Sequence, residues 1–365
     1  MNFADLGVSK DVVRALSATG VTKPFPVQAQ VVPDVLEGRD VLVKSPTGSG
    51  KTLAFAVPIV DRVRREDGKP SALILAPTRE LAGQIVDELK PLVRARGLAV
   101  AAVYGGTGFG PQIAAVRKAH IVVATPGRLE DLIERGDIRL DRVKIAVLDE
   151  ADRMLDMGFR PPVDRILKQT PRKRQTLFFS ATLDGAVGQL ANRYTHDAAR
   201  HEYRPPKHDD VMIEHRFVGV KHEHKLDTLV EHLGDDRGRT LVFVRTKRGA
   251  DRLVKRLGSR GVVAVAMHGN KTQNQRERAL KSFHSGKTDT LVATDVAARG
   301  IDVDDVTHVI NFDAPADRDA YVHRIGRTAR AGRSGVGITY VVDDQVKDVA
   351  KIAADLRLGH EFDRR

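Results

Sequence analysis

Short runs of Val, Ile, Leu and Ala recur along the chain, separated by longer stretches in which apolar positions return every three or four residues. The runs Val41–Val43, Ala72–Leu75, Val100–Val103, Ile121–Ala124, Ile145–Leu148 and Thr176–Phe179 show no strict polar alternation. That is the pattern of strands covered on both faces. Between them, Glu80 to Val93 and Gly127 to Glu134 read as helices. Strand and helix in alternation predict a doubly wound parallel α/β sheet. Ligands of such sheets sit beyond the carboxyl ends of the strands. The polar clusters of this half fall there: Pro46–Thr52, Pro77–Glu80, Thr125–Arg128, Asp149–Asp152 and Ser180–Thr182.

The texture then changes. Residues 196–215 are polar, rich in His and interrupted by Pro205-Pro206, and read as a linker. A second α/β series follows, with strands expected at Arg216–Val220, Thr240–Val244, Val262–Met267, Thr290–Ala293, Val306–Ile310 and Gly337–Val341. Leu226 to Leu233 and Gly249 to Leu257 are the helices expected between them. The expected division is a domain over 1–204, a linker over 205–215 and a second, similar domain over 216–365. A length of 365 residues fits two domains better than one.

Composition narrows the classes. Hydrophobic residues at 41% and charged residues at 30% describe a soluble globular chain with enough apolar material for real cores. The absence of cysteine excludes disulfides and thiolate metal sites. No apolar run approaches the ~18 residues of a membrane helix, and Met1-Asn2-Phe3-Ala4-Asp5 does not begin a signal peptide. The expectation is a cytoplasmic protein with no membrane. Lys+Arg 60 against Asp+Glu 48 leaves a net charge of +12, which favours a polyanionic partner, nucleic acid first. The surplus is shared between the halves, with 31 basic against 24 acidic residues through 204 and 29 against 24 beyond.

Three constellations carry chemistry. Ser45 to Thr52, S-P-T-G-S-G-K-T, joins the first apolar run to a helical stretch. A glycine-rich turn there aims backbone N–H groups at a phosphate-sized space. Lys51 adds a mobile positive charge and Thr52 a hydroxyl for Mg²⁺. An ordinary flexible strand–helix loop is the plain alternative. Asp149-Glu150-Ala151-Asp152 ends another apolar run, and a buried acidic pair is costly unless it meets cations, which a Mg²⁺–phosphate complex supplies. Its plain alternative is a helix N-cap. Arg324, Arg327 and Arg330 follow one another at three-residue spacing. On one helical face they repel unless an anion lies opposite, and a γ-phosphate is such an anion; otherwise they form a solvated basic face. His201, His208, His215 and His222 recur every seven residues, too widely for a zinc site, and are read as solvated.

Together these clusters resemble the DEAD-box ATP-dependent RNA helicases over nearly the whole length. Asp149-Glu150-Ala151-Asp152 is that family's name-giving motif. Gln28, Ser45–Thr52, Pro77–Leu81, Gly105-Gly106, Thr125–Arg128, Ser180–Thr182, Phe243–Thr246, Val292–Asp302 and His323–Gly332 match its other blocks in order. The resemblance implies two tandem RecA-like doubly wound parallel-sheet domains and ATP with Mg²⁺ as cofactors.

The residue roles it implies are as follows. Gln28, with Phe3 upstream, resembles the adenine-reading motif. Pro46, Thr47, Gly48, Ser49, Gly50, Lys51 and Thr52 would cradle the phosphates, with Thr52 and Asp149 holding Mg²⁺ and Glu150 orienting the hydrolytic water. Asp302 is similar to the ribose-contacting residue. Arg327 and Arg330 look like arginine fingers, with His323 linking them to the other domain's motifs, and Asp152, Ser180 and Thr182 resemble the group that couples hydrolysis to closure. Thr78, Arg79, Gly105, Gly106, Thr125, Gly127 and Arg128 in the first domain match backbone-binding RNA motifs. Thr246, Thr294, Asp295 and Arg299 match them in the second.

Small residues, hydroxyls and arginines contact phosphate and sugar without reading bases, so RNA binding is expected to be sequence-independent and to depend on the 2′-hydroxyl. The implied partners are single-stranded or short duplex RNA, with targeting through ribonucleoprotein, RNA-decay or ribosome-assembly partners, for a chain acting as a monomer. The implied activity is RNA-stimulated ATP hydrolysis driving local unwinding of short duplexes or remodelling of RNA–protein complexes. Its rivals are an ATP-dependent RNA clamp or scaffold and a DNA-acting helicase. Three positions depart from the family pattern: Val21 where an aromatic is common, Phe25 where a small hydroxylated residue is usual, and Ser45 for Ala or Gly.

Overall fold

Every strand pair of the first half is parallel. The computed structural model describes residues 1–362 except 47, 204–212, 235–237, 299–305 and 330–332, with the backbone alone at 296. The chain forms two compact units, Met1–Pro205 and Pro206–Arg365. Each is a RecA-like α/β unit around its own sheet.

The strands of the first unit are β1 (Val41–Lys44), β2 (Ala72–Leu75), β3 (Val100–Val103), β4 (Ile121–Ala124), β5 (Ile145–Leu148), β6 (Gln175–Ser180) and β7 (Ala199–Glu202). They lie in the order β3-β4-β2-β5-β6-β1-β7. Apolar residues run continuously along them because successive side chains enter opposite cores. Val41, Val43, Ile74, Val123, Val147, Leu177 and Phe179 pack with the helices Pro26–Glu37, Lys51–Arg62 and Arg79–Ala95. Leu42, Leu73, Leu75, Val122, Ala146, Leu148 and Phe178 pack on the other face with Pro126–Glu134, Arg160–Lys168 and Gly185–Tyr194.

The second unit repeats the plan with β8 (Ile213–Gly219), β9 (Arg239–Phe243), β10 (Ala264–Met267), β11 (Thr290–Ala293), β12 (Val306–Asn311) and β13 (Gly335–Val341). Their order is β10-β11-β9-β12-β13-β8, again with parallel pairs. Leu241, Phe243, Leu291 and Val309 face one core, and Val242, Val292 and Ile310 the other.

Two strands depart from the sequence reading: β7 falls within the stretch read as a linker, and β8 begins inside it. Ala199-Arg200-His201-Glu202 is polar, yet it pairs in parallel with β1, Val43 opposite His201. It lies at the sheet edge, where only one face and one ladder need covering, so its composition carries no strand signal. Strand β8 starts at Ile213, before the expected Arg216, and pairs with β13 from Gly335 onward.

Candidate active site and nucleic-acid interface

The parallel arrangement of the first unit places the loops after all its strands at one carboxyl edge. Backbone bonds continue the ladder past the strands: Ser45 N–H donates to the Ser180 carbonyl, Asp149 N–H to Leu75 and Thr125 N–H to Val103. Adjacent β5, β6 and β1 end at Asp149, Ser180 and Ser45, the acidic and phosphate-loop candidates. Strands β2, β4 and β3, on the other half of the same edge, lead to Thr78, Thr125 and Gly105.

On the first half, Gly50 ends the phosphate loop in the left-handed region, at φ 82°, where a side chain is strained. Space is also short there, since a Cβ on Gly50 would lie 2.6 Å from the Phe25 ring and 2.8 Å from the Gln28 amide nitrogen. Gly48 has φ 79°. Lys51 opens the helix Lys51–Arg62, and its buried Nζ donates to the Ser45 carbonyl at 3.1 Å. The Ser45 hydroxyl contacts the Ser49 hydroxyl at 2.6 Å, so the residue that departs from the family pattern ties the loop together. Pro46 and Thr52 lie in the same segment; Thr47 lies outside the described residues.

Asp149 is buried. Burial pushes its carboxyl up to about 7, against the pull of the Lys51 charge and with a further push from Glu150. A carboxylate this costly to ionise suits a position where a divalent cation supplies counter-charge, so Asp149 and Thr52 fit a Mg²⁺–triphosphate complex. Glu150 is held at φ 49°, unusual for a residue with a side chain, and its carboxylate meets the Arg153 guanidinium at 2.6 Å. Asp152 accepts from the N–H groups of Ala181 and Thr182, at 3.0 and 3.2 Å. Its own N–H donates to the Ser180 hydroxyl at 3.3 Å. The three candidate coupling residues therefore form one bonded group.

Two adenine-reading candidates take other positions. Phe3 is 1% exposed and sits inside the core. Its carbonyl accepts from Leu6 and Val8, so it packs the N-terminal segment and does not face a ligand. Gln28 is also buried; its Oε1 accepts from Phe25 N–H and its Nε2 donates to the Gly50 carbonyl, both at 2.9 Å. The amide expected to read a base here joins Phe25 to the phosphate loop.

On the other half of the edge, the Arg79 guanidinium lies on Gly105 and directly against Gly106, whose φ is 84°. Any side chain at Gly106 would displace it. Thr78 caps the helix Arg79–Ala95 by accepting from Leu81. Arg128 donates to the Thr107 carbonyl at 3.0 Å and stacks over Phe109 at 4.2 Å. Gly127 faces open space, and Thr125 begins the helix Pro126–Glu134. Gln112, which sequence reasoning passed over, holds this loop through Tyr104 N–H, the Tyr104 carbonyl and the Thr107 hydroxyl. Arg79, Gly105-Gly106 and Arg128 thus come together as small residues and guanidinium groups, the materials of a phosphate-backbone surface.

In the second unit, Thr246 is exposed and caps the helix Lys247–Gly258 through Gly249 N–H at 2.9 Å. Thr294 follows β11 and is buried. Both carboxylate oxygens of the half-buried Asp295 are taken by Arg324, at 2.6 and 2.7 Å. The pairing accounts for both oxygens of this carboxylate within the unit. It corrects the reading of the arginines as one helical face. The helix Arg318–Ile325 ends at Gly326, Arg324 is 3% exposed, and the anion facing it is Asp295. Arg327 lies past the helix end, with its Nε on the His323 carbonyl at 3.2 Å. Arg299, Asp302 and Arg330 lie outside the described residues. His201 bonds Asp34 and His215 bonds Tyr321, each at 2.7 Å. No helix among the described residues is long and apolar enough to cross a membrane.

Comparison with known proteins places these features in context. A DEAD/DEAH box helicase family model matches residues 25–190, and a helicase conserved C-terminal domain model matches residues 224–332. An "ATP-dependent RNA helicase CshA" of Listeria monocytogenes is 43% identical over 341 residues, 93% of this chain and 66% of its own length. A "DEAD-box ATP-dependent RNA helicase CshA" of Bacillus subtilis is 41% identical, covering 93% of this chain and 69% of its own. The chain therefore spans about two thirds of the length of these relatives. The structure of S. cerevisiae Dbp5 bound to RNA and ADP BeF3 superposes with a TM-score of 0.85 at 32% identity, covering 98% of this chain and 93% of that one.

Proposed function

We propose, for a chain that belongs to the DEAD/DEAH box helicase family, that it acts as an ATP-dependent RNA helicase, coupling ATP hydrolysis to sequence-independent opening of short RNA duplexes or remodelling of RNA–protein complexes. What carries the reading is the division of one sheet edge. Lys51, Asp149 and the Asp152–Ser180–Thr182 group occupy the ends of β5, β6 and β1, and the Arg79–Gly106–Arg128 cluster occupies the ends of β2, β3 and β4. An event at the phosphates and an event at the RNA backbone then bear on the same small set of loops.

In this reading Lys51 and the loop N–H groups bind the β- and γ-phosphates, and Thr52 and Asp149 hold Mg²⁺, which neutralises phosphate charge when bound. Glu150 orients the attacking water, which requires its carboxylate to leave Arg153. Arg327 and Arg330 supply positive charge to the γ-phosphate as its bond breaks, the role of arginine fingers in phosphoryl transfer. Thr78, Arg79, Gly105, Gly106, Thr125, Gly127 and Arg128 take the RNA backbone, with Thr246 and Thr294 contributing from the second unit. The net charge of +12 supports a polyanionic partner, and action in the cytoplasm agrees with the lack of cysteine.

The test is the ATPase rate of the chain alone, with single-stranded RNA and with matched single-stranded DNA. Stimulation by RNA well above that by DNA is expected. Equal stimulation by both polymers would favour a DNA-acting engine, and RNA binding without turnover would favour a clamp. Glu150→Gln is expected to retain ATP-dependent RNA binding and lose turnover; normal turnover in that variant would remove Glu150 from its role.

A further inference from the structure

Phe25 is the only phenylalanine or tyrosine among the described residues that is mostly exposed, at 59%, and the chain has no tryptophan. An apolar ring left in water forgoes the stabilisation it would gain by burial, so its position calls for a reason. The ring is held in place with some care. Phe25 stands between Pro24 and Pro26, in the extended conformation at φ −66° and ψ 158° that a following proline imposes. Its N–H is bonded to Gln28 Oε1 at 2.9 Å, and the same amide grips the Gly50 carbonyl through Nε2 at 2.9 Å. The ring edge lies over Gly50, 2.6 Å from where a Cβ would stand. Gly50 is the last residue before Lys51 and the helix whose N-terminus the phosphates would face.

Val21, by contrast, is half-buried against the core and offers no planar surface. Each end of the Gln28 amide makes one bond to the protein, and the Phe25 ring beside it is a flat apolar surface left in water. We propose that Phe25 is the base-stacking residue of the nucleotide site, taking the purine ring against its exposed face while the loop takes the phosphates. The inference rests on reading Ser45–Thr52 as the ATP site. Every π-face stacks, so this contact adds affinity for the nucleoside end without itself choosing the base.

The experiment compares ADP with inorganic pyrophosphate, which shares the phosphates and lacks the base, in calorimetric titrations of the full chain with Mg²⁺. Phe25→Thr places a small hydroxyl at an exposed helix N-cap, where folding is retained; its thermal unfolding is recorded alongside. ADP affinity is expected to fall about tenfold in Phe25→Thr, with pyrophosphate affinity within about twofold of wild type. Phe25→Tyr, which keeps the ring, is expected to hold ADP within about threefold of wild type. Wild-type ADP affinity in Phe25→Thr overturns the proposal. So does an equal loss for ADP and pyrophosphate, which would make the ring a prop for the loop. A wild-type chain that binds neither compound overturns the nucleotide site itself, and the role of the ring with it.

Discussion

Each unit contains an arginine–carboxylate pair beside its candidate machinery, and the two are built differently. In the first unit Arg153 meets Glu150, three residues away, through a single contact at 2.6 Å. The other two guanidinium nitrogens of Arg153 are buried with no hydrogen-bond partner among the described residues. In the second unit Arg324 reaches Asp295, 29 residues away, with two parallel bonds. Its remaining nitrogen donates to Asn311 Oδ1 at 3.1 Å and to the Asp313 carbonyl at 2.7 Å, and its plane lies over Phe243 at 5.1 Å. A guanidinium with all three nitrogens bonded fixes the loops it joins. One with donors unmet holds its partner through fewer bonds and fixes less of the surrounding loop. The second unit thus uses its buried arginine as a rivet, whereas the first joins Arg153 to the Glu150 carboxylate, proposed to orient water, by a single tether.

The largest test separates rivet from finger. Arg327→Ala is expected to lower RNA-stimulated ATP turnover by on the order of 10³-fold or more while the unfolding midpoint stays where it was. Wild-type turnover would move the catalytic charge elsewhere.

Arg324→Ala should do the reverse to the fold. Removing the guanidinium from half-buried Asp295, the buried Asn311 Oδ1 and the Asp313 carbonyl is expected to cost about 3 kcal/mol, read as a lower urea midpoint for the second unit. A loss under about 1 kcal/mol would mean that the four bonds do not act as a rivet.

A smaller effect concerns acid. Burial pushes the Asp313 carboxyl up, but the N–H of Arg245 and the Lys225 ammonium outweigh it, and the group sits below its usual value. A depressed carboxylate stabilises the fold above its unfolded value and loses that contribution as pH falls through the folded one. Urea midpoints measured from pH 7 down to pH 3 should fall less steeply below about pH 4 in Asp313→Asn than in wild type. Parallel curves would show that the carboxylate contributes nothing to the acid limb.

The smallest change is expected at the tether. Arg153→Met together with Glu150→Gln removes both charges at once, and stability should stay within about 1 kcal/mol of wild type. A loss near that of Arg324→Ala would erase the distinction between the pairs.

Most of the first unit's site could be read from the residues because each of its parts is local. A glycine-rich turn before Lys51, an acidic pair after Ile145–Leu148 and a hydroxyl pair after Thr176–Phe179 all follow buried strands. Parallel strands bring such ends to one edge whatever their order. The polar edge strand β7 escaped because its residues alternate no hydrophobicity and its pairing comes entirely from β1. Arg153 carried a signal, an arginine three residues beyond Glu150, but Gln112 carried none, since its bonds are to a loop whose path the residues alone do not state.

Pattern and spacing by themselves determined the alternation of strand and helix, the division into two α/β units and the chemistry of the clusters, because these follow from period and from residue type. Which side chains remain available to a ligand was decided only in three dimensions. Phe3 went to the core, the Gln28 amide to Gly50, Asp295 to Arg324, and Phe25 alone of the rings was left in water beside the loop. Each of those outcomes depends on a partner distant in sequence, and a side chain can satisfy its hydrogen bonds or bury its surface only once.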